Sequence, residues 1–305
     1  MSNIVLSNGI RDTLMSLSNT KAQITTTQSH LSTGLTVASA VDDAVKFFTS
    51  KTLNDRANDM SAKKDTIDQA VSSVTTASNA LTSIEGLLKQ FKGVLDSARS
   101  GSQSQRASYQ TQLKNLSMQM QNLVGDASYN GLNLVNSTAS TLTVYFSDKS
   151  ASSLKVQGVN MNVSKLFYSS SNGAIAGISK GSSIGKLLSK LGLSASLSNY
   201  SLSKASVLAK FNSHVDTAQT YLDATIQNVR AQSATMGGNV AILQVRLDFT
   251  KNYVNTLQGG AGKLTVADLN AESANMVSLN TRQSLGVQAM SMANQSDQAV
   301  LQLFR

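Results

Sequence analysis

The sequence predicts a mainly α protein, built from long coiled-coil helices with a small β-containing domain in the middle. Three observations carry the prediction. Apolar residues keep a three-four spacing through two long stretches, near 53–98 and 215–257; none of the 305 residues is proline; and the apolar period falls to two only near 140–167. A 3.5-residue apolar period is the seam of a packed helical hairpin or coiled coil. Proline at ordinary frequency would occur roughly 15 times in this length, and each would remove a ladder hydrogen bond and clash with the preceding turn. The chain also lacks Trp and is only 5% aromatic. Leu, Ile, Val, Met and Ala suffice to pack helix on helix.

The elements follow in order. Ile10, Leu17, Ile24 and Leu31 recur every seven residues and predict a first helix over about 1–34. From Leu53 a second seam runs through Ala57, Met60, Ile67, Val71, Val74 and Leu81. Two three-residue steps at Leu81 and Ile84 form a stammer, which overwinds a supercoil without ending the helix, and Leu88, Phe91, Leu95 and Ala98 resume the stripe. Ser100-Gly101-Ser102 breaks the run. The next helix carries Tyr109, Leu113, Leu116, Met120, Leu123 and Ala127 on one face, and Tyr129-Asn130-Gly131 stops it with a turn-forming Asn-Gly. Leu142, Val144 and Phe146, then Val159, Met161 and Val163, alternate with polar residues, so about 140–167 reads as β-hairpins. Residues 169–202 are rich in Ser and Gly, with one short helix expected near Ile184 to Leu191.

The longest pattern comes next. Val215, Ala218, Leu222, Ile226, Val229, Ser233, Met236, Val240, Leu243, Leu247, Thr250, Val254 and Leu257 keep one stripe. Gly237-Gly238 inside it costs about 1 kcal/mol per glycine relative to Ala, so a bend is expected there. Gly259-Gly260-Ala261-Gly262 is expected to end this helix, with Thr265 as cap and Asp268 as third-residue acid of the last one. On a helical wheel Met276, Leu279, Val287, Met290, Ala293, Leu301 and Phe304 of that last helix share one face, whereas Leu285, Met292 and Leu303 lie nearly opposite. Two apolar faces imply burial from two sides.

Composition narrows the chemistry. Cysteine is absent, which excludes disulfide scaffolds, thiolate metal sites and cysteine nucleophiles. No secretory signal or membrane span is expected, because no segment approaches 18 consecutive apolar residues. The formal charge of +9 gathers in the middle: between Asn136 and Lys204 seven lysines face the single acid Asp148, a net of +6. Those lysines stand singly among Ser and Gly, without the clustered basic residues and interleaved aromatics of a nucleic-acid groove. A solvated basic surface is the better reading. His30 and His214, the only two histidines, are expected to be exposed and assemble no zinc site or serine triad. Leu257 and Leu264 occupy the places where a phosphate loop ending at Gly262-Lys263 would need Gly and Ser or Thr. Asp42 and Asp43 are adjacent and diverge, which is weak support for acid-base work. No cofactor or enzymatic activity is expected.

At this point the residues carry a resemblance. Leu31-Ser32-Thr33-Gly34-Leu35 followed by Ser39-Ala40-Val41-Asp42-Asp43-Ala44, the turn Tyr129-Asn130-Gly131-Leu132, and Gln283-Ser284-Leu285-Gly286 through Ala293-Asn294-Gln295 to Leu303-Phe304-Arg305 are together similar to the motifs of bacterial flagellins. The likeness covers roughly 1–135 and 205–305. Thr36 and Val41 depart from it, replacing an Arg and a Lys common in the family, and Gln90 stands where many flagellins place an Arg recognised by the vertebrate Toll-like receptor.

The resemblance implies long antiparallel coiled-coil helices formed by the N- and C-terminal regions. It implies an inner-core helix and connector over 1–40, coiled-coil parts over 41–135 and 205–260, a variable surface-exposed domain over 136–204, and a second inner-core helix over 261–305. It further implies a secreted, extracellular homopolymer that serves swimming motility, with the flagellar secretion apparatus, an export chaperone and a filament cap as partners, and neither nucleic acid nor membrane insertion. A junction protein between hook and filament, or a basic helical nucleic-acid-binding protein, is the alternative. The expected polymerisation interface is Ile10, Leu14, Leu17, Ile24 and Leu31 with Leu285, Met290, Met292, Leu301, Leu303, Phe304 and Arg305. Ordering each residue of the first helix costs about 1 to 1.5 kcal/mol, while fully burying each of its few large apolar side chains returns about 1.5 to 3 kcal/mol. Both ends are therefore expected to fold on assembly.

Overall fold

The computed structural model describes residues 8–148, 151–163 and 205–303. Its elements are α1 (Asn8–Thr33), α2 (Ala44–Ser100), α3 (Gln103–Asp126), β1 (Ser128–Tyr129), β2 (Leu132–Asn133), β3 (Thr141–Tyr145), β4 (Ser153–Gln157), α4 (Ala205–Thr265) and α5 (Leu269–Leu303). The chain divides into two compact units, Met1–Asp59 with Tyr253–Arg305, and Met60–Asn252, so α2 and α4 contribute to both. The helix expected near Ile184 and most of the lysine-rich segment lie outside the described residues.

In the larger unit the predicted seams become one core. Ile67, Val74, Leu81, Ile84, Leu88, Phe91 and Leu95 of α2 are buried with Val215, Ala218, Leu222, Val229, Met236 and Leu243 of α4. The stammer passes without a break, as the spacing predicts. α3 adds Leu113, Met120 and Val124. Its buried side differs from the predicted face at three places, because Arg106, Ser117 and Val124 are enclosed while Leu116 and Leu123 are half-buried. Ser117 is satisfied by donating to the Leu113 carbonyl at 2.9 Å.

Opposite charges flank the seam in an antiparallel ladder: Arg230 on Glu85 at 2.8 Å, Lys92 on Asp223 at 2.6 Å and Arg99 on Asp216 at 2.9 Å. Along α2 the partners advance by seven while along α4 they recede by seven, so each heptad repeats the same cross-helix pair. Gln219 also donates to Asp96 in the same register. Glu85 accepts from Lys89 as well, and these two cationic donors hold its carboxyl below the usual range.

Asn130 and Gly131 take φ of 49° and 80°, the conformation that a two-residue hairpin turn demands. β1 and β2 pair across it, Tyr129 opposite Leu132. Asn133 then ties four backbone groups together. Its amide donates to the Val124 and Gly125 carbonyls at the end of α3, and its oxygen accepts from the N–H groups of Val135 and Asn136. β3 and β4 are antiparallel with Leu142 opposite Val156 and Val144 opposite Leu154, and Val144 and Val156 join the helical core. The predicted strand at Val159 to Val163 is corrected to a segment outside any strand. Val159 and Met161 donate to the Leu134 and Val135 carbonyls at 2.7 and 2.8 Å, the Val163 N–H and the Asn162 amide donate to Gln121 Oε1 and the Asn136 carbonyl, and Met161 and Val163 are buried as their alternation implied.

In the smaller unit α4 does not end at its glycines. It continues to Thr265 because α2 packs on it there: Ala261 is buried, its carbonyl accepts the Ser50 hydroxyl at 3.2 Å, and Gly260 lies against Leu53. Those contacts offset the helix penalty of about 1 kcal/mol per glycine. Asp268 itself caps α5 by accepting from Asn270 and Ala271, whereas Thr265 closes α4 with its hydroxyl on the Ala261 carbonyl. The predicted cap is thus moved from Thr265 to Asp268. Asp42 and Asp43 are also turn residues: Asp42 accepts from Ala38 and from the N–H and hydroxyl of Ser39, and Asp43 accepts from the Lys46 N–H in the first turn of α2.

Candidate assembly interface

α1 and α5 pack along each other, and the sequence explains how. α1 is rich in threonine, and Thr13, Thr20, Thr25, Thr26 and Thr33 each return the hydroxyl to the carbonyl four residues back, which satisfies them without breaking the helix. Gly34 takes φ of 71° and donates to the His30 carbonyl at 2.8 Å, a left-handed helix cap that suits glycine. The chain then forms a short β-bridge, Leu35 with Val266, closed by Thr36 N–H on the Thr265 carbonyl and Ala267 N–H on the Gly34 carbonyl.

The helices run antiparallel. Near one end His30 Nδ1 and Glu272 Oε1 are 3.0 Å apart, both largely covered; farther along, Leu17 sits so close to Gly286 that a Cβ there would be 3.2 Å from its Cδ1. The exposed His30 expected from sequence is therefore corrected, since the last turn of α1 meets the first turn of α5. His214 falls outside the described side chains.

The predicted interface residues divide into groups. Ile10 is buried and Leu17, Ile24 and Leu31 are half-buried, as are Met276, Met290 and Ala293 of α5, with Leu279 buried. The intramolecular pair already covers these. Leu14, Leu285 and Met292 are exposed, by 52%, 61% and 61%. Leu301 and Leu303 lie in α5 but their side chains are not among those described, and Phe304 and Arg305 lie outside the described residues. Val287, placed by the wheel with the covered face, is 53% exposed. Wrapping of one helix along another displaces an ideal 100° wheel by about 20° per heptad, enough to move a borderline residue outward.

Met15 and Val277 are exposed members of the same helices that the heptad pattern did not single out. Val41, Val45 and Phe48, at three-four spacing around the start of α2, are also exposed, and this spacing was the signal available for finding them. Between the helices a groove of mixed lining holds Gln23, Thr26, Asn275, Ser278 and Arg282 beside Ala22 and Leu279. The exposed apolar side chains Leu14, Met15, Val277, Leu285 and Met292 lie outside this groove. Removing the apolar face from water would return about 1 to 2 kcal/mol per large side chain, given that half or more of each is exposed.

Comparison with known proteins adds to this geometry. Residues 8–140 match the family model for the bacterial flagellin N-terminal helical region and residues 215–304 that for the bacterial flagellin C-terminal helical region. Flagellin FljM of Caulobacter vibrioides is 27% identical over 310 residues, spanning 100% of this chain and 99% of its own. A flagellin of Brucella melitensis is 26% identical over 308 residues, spanning 100% of both. A solved structure described as a flagellar hook-associated protein of Vibrio parahaemolyticus aligns with a TM-score of 0.56 at 15% identity, covering 74% of this chain and 100% of that one. That last likeness concerns the fold alone.

Proposed function

Because the chain belongs to the bacterial flagellin family, and so is a structural subunit of the extracellular flagellar filament rather than an enzyme, we propose that the outer faces of α1 and α5 are where one subunit meets the next. The observation that carries this reading is the second apolar face of α5. Val277, Leu285 and Met292 remain exposed after α1 has covered the first face. Leu14 and Met15 are likewise exposed on α1. A surface of one copy that meets a different surface on the next generates an open helix, which is what a filament needs.

The α1–α5 pair alone buries few large side chains for some sixty ordered residues, so the pair forms fully only when neighbours cover its outer face. Membership of the family further implies a subunit exported through the flagellar secretion channel, held by a chaperone beforehand and guided by a filament cap at the growing tip. The relatives that span the whole chain are named flagellins, which favours an indefinite filament over a hook–filament junction ring.

Hydrogen exchange on the dilute monomer, compared with the filament, tests the coupling. Amides of α1 and α5 are expected to exchange rapidly in the monomer and to be protected in the filament; equal protection in both would overturn it. Removal of Leu301 to Arg305 is expected to stop growth on filament seeds while leaving the Met60–Asn252 unit folded by circular dichroism. Growth at the parent rate would show that these residues are not part of the assembly element.

A further inference from the structure

Arg106 occupies a position where a coiled-coil seam calls for leucine. Along α3 the enclosed residues are Arg106, Leu113, Ser117, Met120 and Val124, and Arg106 is 1% exposed. Its guanidinium carbon lies 4.3 Å from the centroid of the Phe211 ring of α4. The buried Nε and Nη1 have no hydrogen-bond partner, and among the described residues no carboxylate forms an ion pair with it. A buried cation with orphaned N–H groups is among the costliest arrangements in a folded chain, and stacking on one aromatic face recovers only part of that cost. Replacing buried ionic groups by apolar side chains of similar volume is often stabilising. The same core buries Leu95 of α2, Leu113 of α3 and Phe211 and Val215 of α4, beside Ser117 of α3 and the unpartnered Asn212 Oδ1 of α4, and a methionine or leucine at 106 would add no further orphaned polar group.

We infer that Arg106 is a built-in stability limiter, which keeps the packing of α3 on α2 and α4 weak enough for the folded subunit to be unfolded readily for export. The inference rests on the reading of the chain as an exported filament subunit. A subunit held too firmly would enter a channel that admits unfolded chains more slowly, whereas neighbouring copies would supply the missing stability once it joined the filament. Arg106 is suited to this task because it lies off the ends of the chain, so its cost is felt in the central helices and not at the assembly surface.

The test uses the full chain carrying Arg106→Met or Arg106→Leu, with Arg106→Lys as a comparison that keeps the charge and loses the flat stacking face. The apolar variants are expected to melt about 5 °C above the parent and, in cells lacking their own flagellin, to be exported at less than half the parent rate for equal synthesis. Arg106→Lys is expected to melt no higher than the parent and to be exported at least as fast. Apolar variants that melt at or below the parent, or fail to fold, would overturn the inference. Higher melting with unchanged export would overturn it too. Growth of purified parent subunits on seeds is measured alongside: its failure would refute the filament reading, while the melting comparison separately decides whether Arg106 weakens the fold.

Discussion

Gly158 is the residue whose replacement the structure judges most severely. A Cβ built there would lie 2.5 Å from the Ser137 carbonyl oxygen, 2.9 Å from that of Ser140 and 3.1 Å from that of Leu134. All three obstacles are backbone, which cannot swing aside. Gly158→Ala is expected to destabilise the Met60–Asn252 unit by about 2 to 3 kcal/mol, read as a lower urea midpoint; an unchanged midpoint would show that the loop yields freely. Nothing in the local sequence marks this glycine, because the carbonyls that crowd it come from residues 18 to 24 positions earlier. Three carboxyls also acquire a role at this scale. Ser39 N–H and hydroxyl hold Asp42 below the usual carboxylate range, the Lys46 N–H does so for Asp43, and Lys89 with Arg230 does so for Glu85. A carboxylate whose folded pKa is depressed adds stability above its unfolded pKa, near 4, and loses it as pH falls through the folded value. Stability should therefore be level near neutrality and decline below about pH 4, with Glu85→Gln showing a smaller decline; a parent midpoint equal at pH 3 and pH 7 would contradict this.

At the scale of elements, the heptad stripes were legible and the pairs beside them were not. Periodicity lies in one stretch of chain, so the seams from Leu53 to Ala98 and from Val215 to Leu257 needed no partner to be recognised. The ladder of Glu85 with Arg230, Lys92 with Asp223 and Arg99 with Asp216 exists only once the two helices are set in register. Its charges are partly exposed, so each pair contributes little by itself, and its larger effect is to disfavour a heptad slip, which would set Glu85 against Asp223 or Lys92 against Arg230. In a double-mutant cycle, Lys92→Asp and Asp223→Lys are each expected to lower the urea midpoint, and the exchanged pair to recover part of the loss. Strict additivity would show that the pair carries no coupling. The helix through Gly259 to Gly262 teaches the same lesson in reverse, since a local breaker was overridden by Ser50, Leu53 and a buried Ala261.

For the whole molecule, the decisive property is apolar surface that its own helices leave uncovered. Leu285→Asp with Met292→Asp is expected to abolish growth on filament seeds while leaving the melting of the central helices within about 2 °C of the parent, because both side chains are exposed in the subunit. Undiminished growth would remove these residues from the interface. The sequence by itself determined the helical class, the Asn130-Gly131 turn and the family motifs at the two ends, since helix period, turn chemistry and motif spacing are each written within a few neighbouring residues. Only the tertiary structure decided which apolar face of α5 packs on α1 and which stays open, that His30 meets Glu272, how α2 and α4 are registered, and that Arg106 is enclosed against Phe211 with its Nε and Nη1 unbonded. Those outcomes depend on contacts between positions 131 to 242 apart in the chain or on the surroundings that three helices jointly make. A periodic pattern states that a face will be buried; the partner that buries it is chosen by packing.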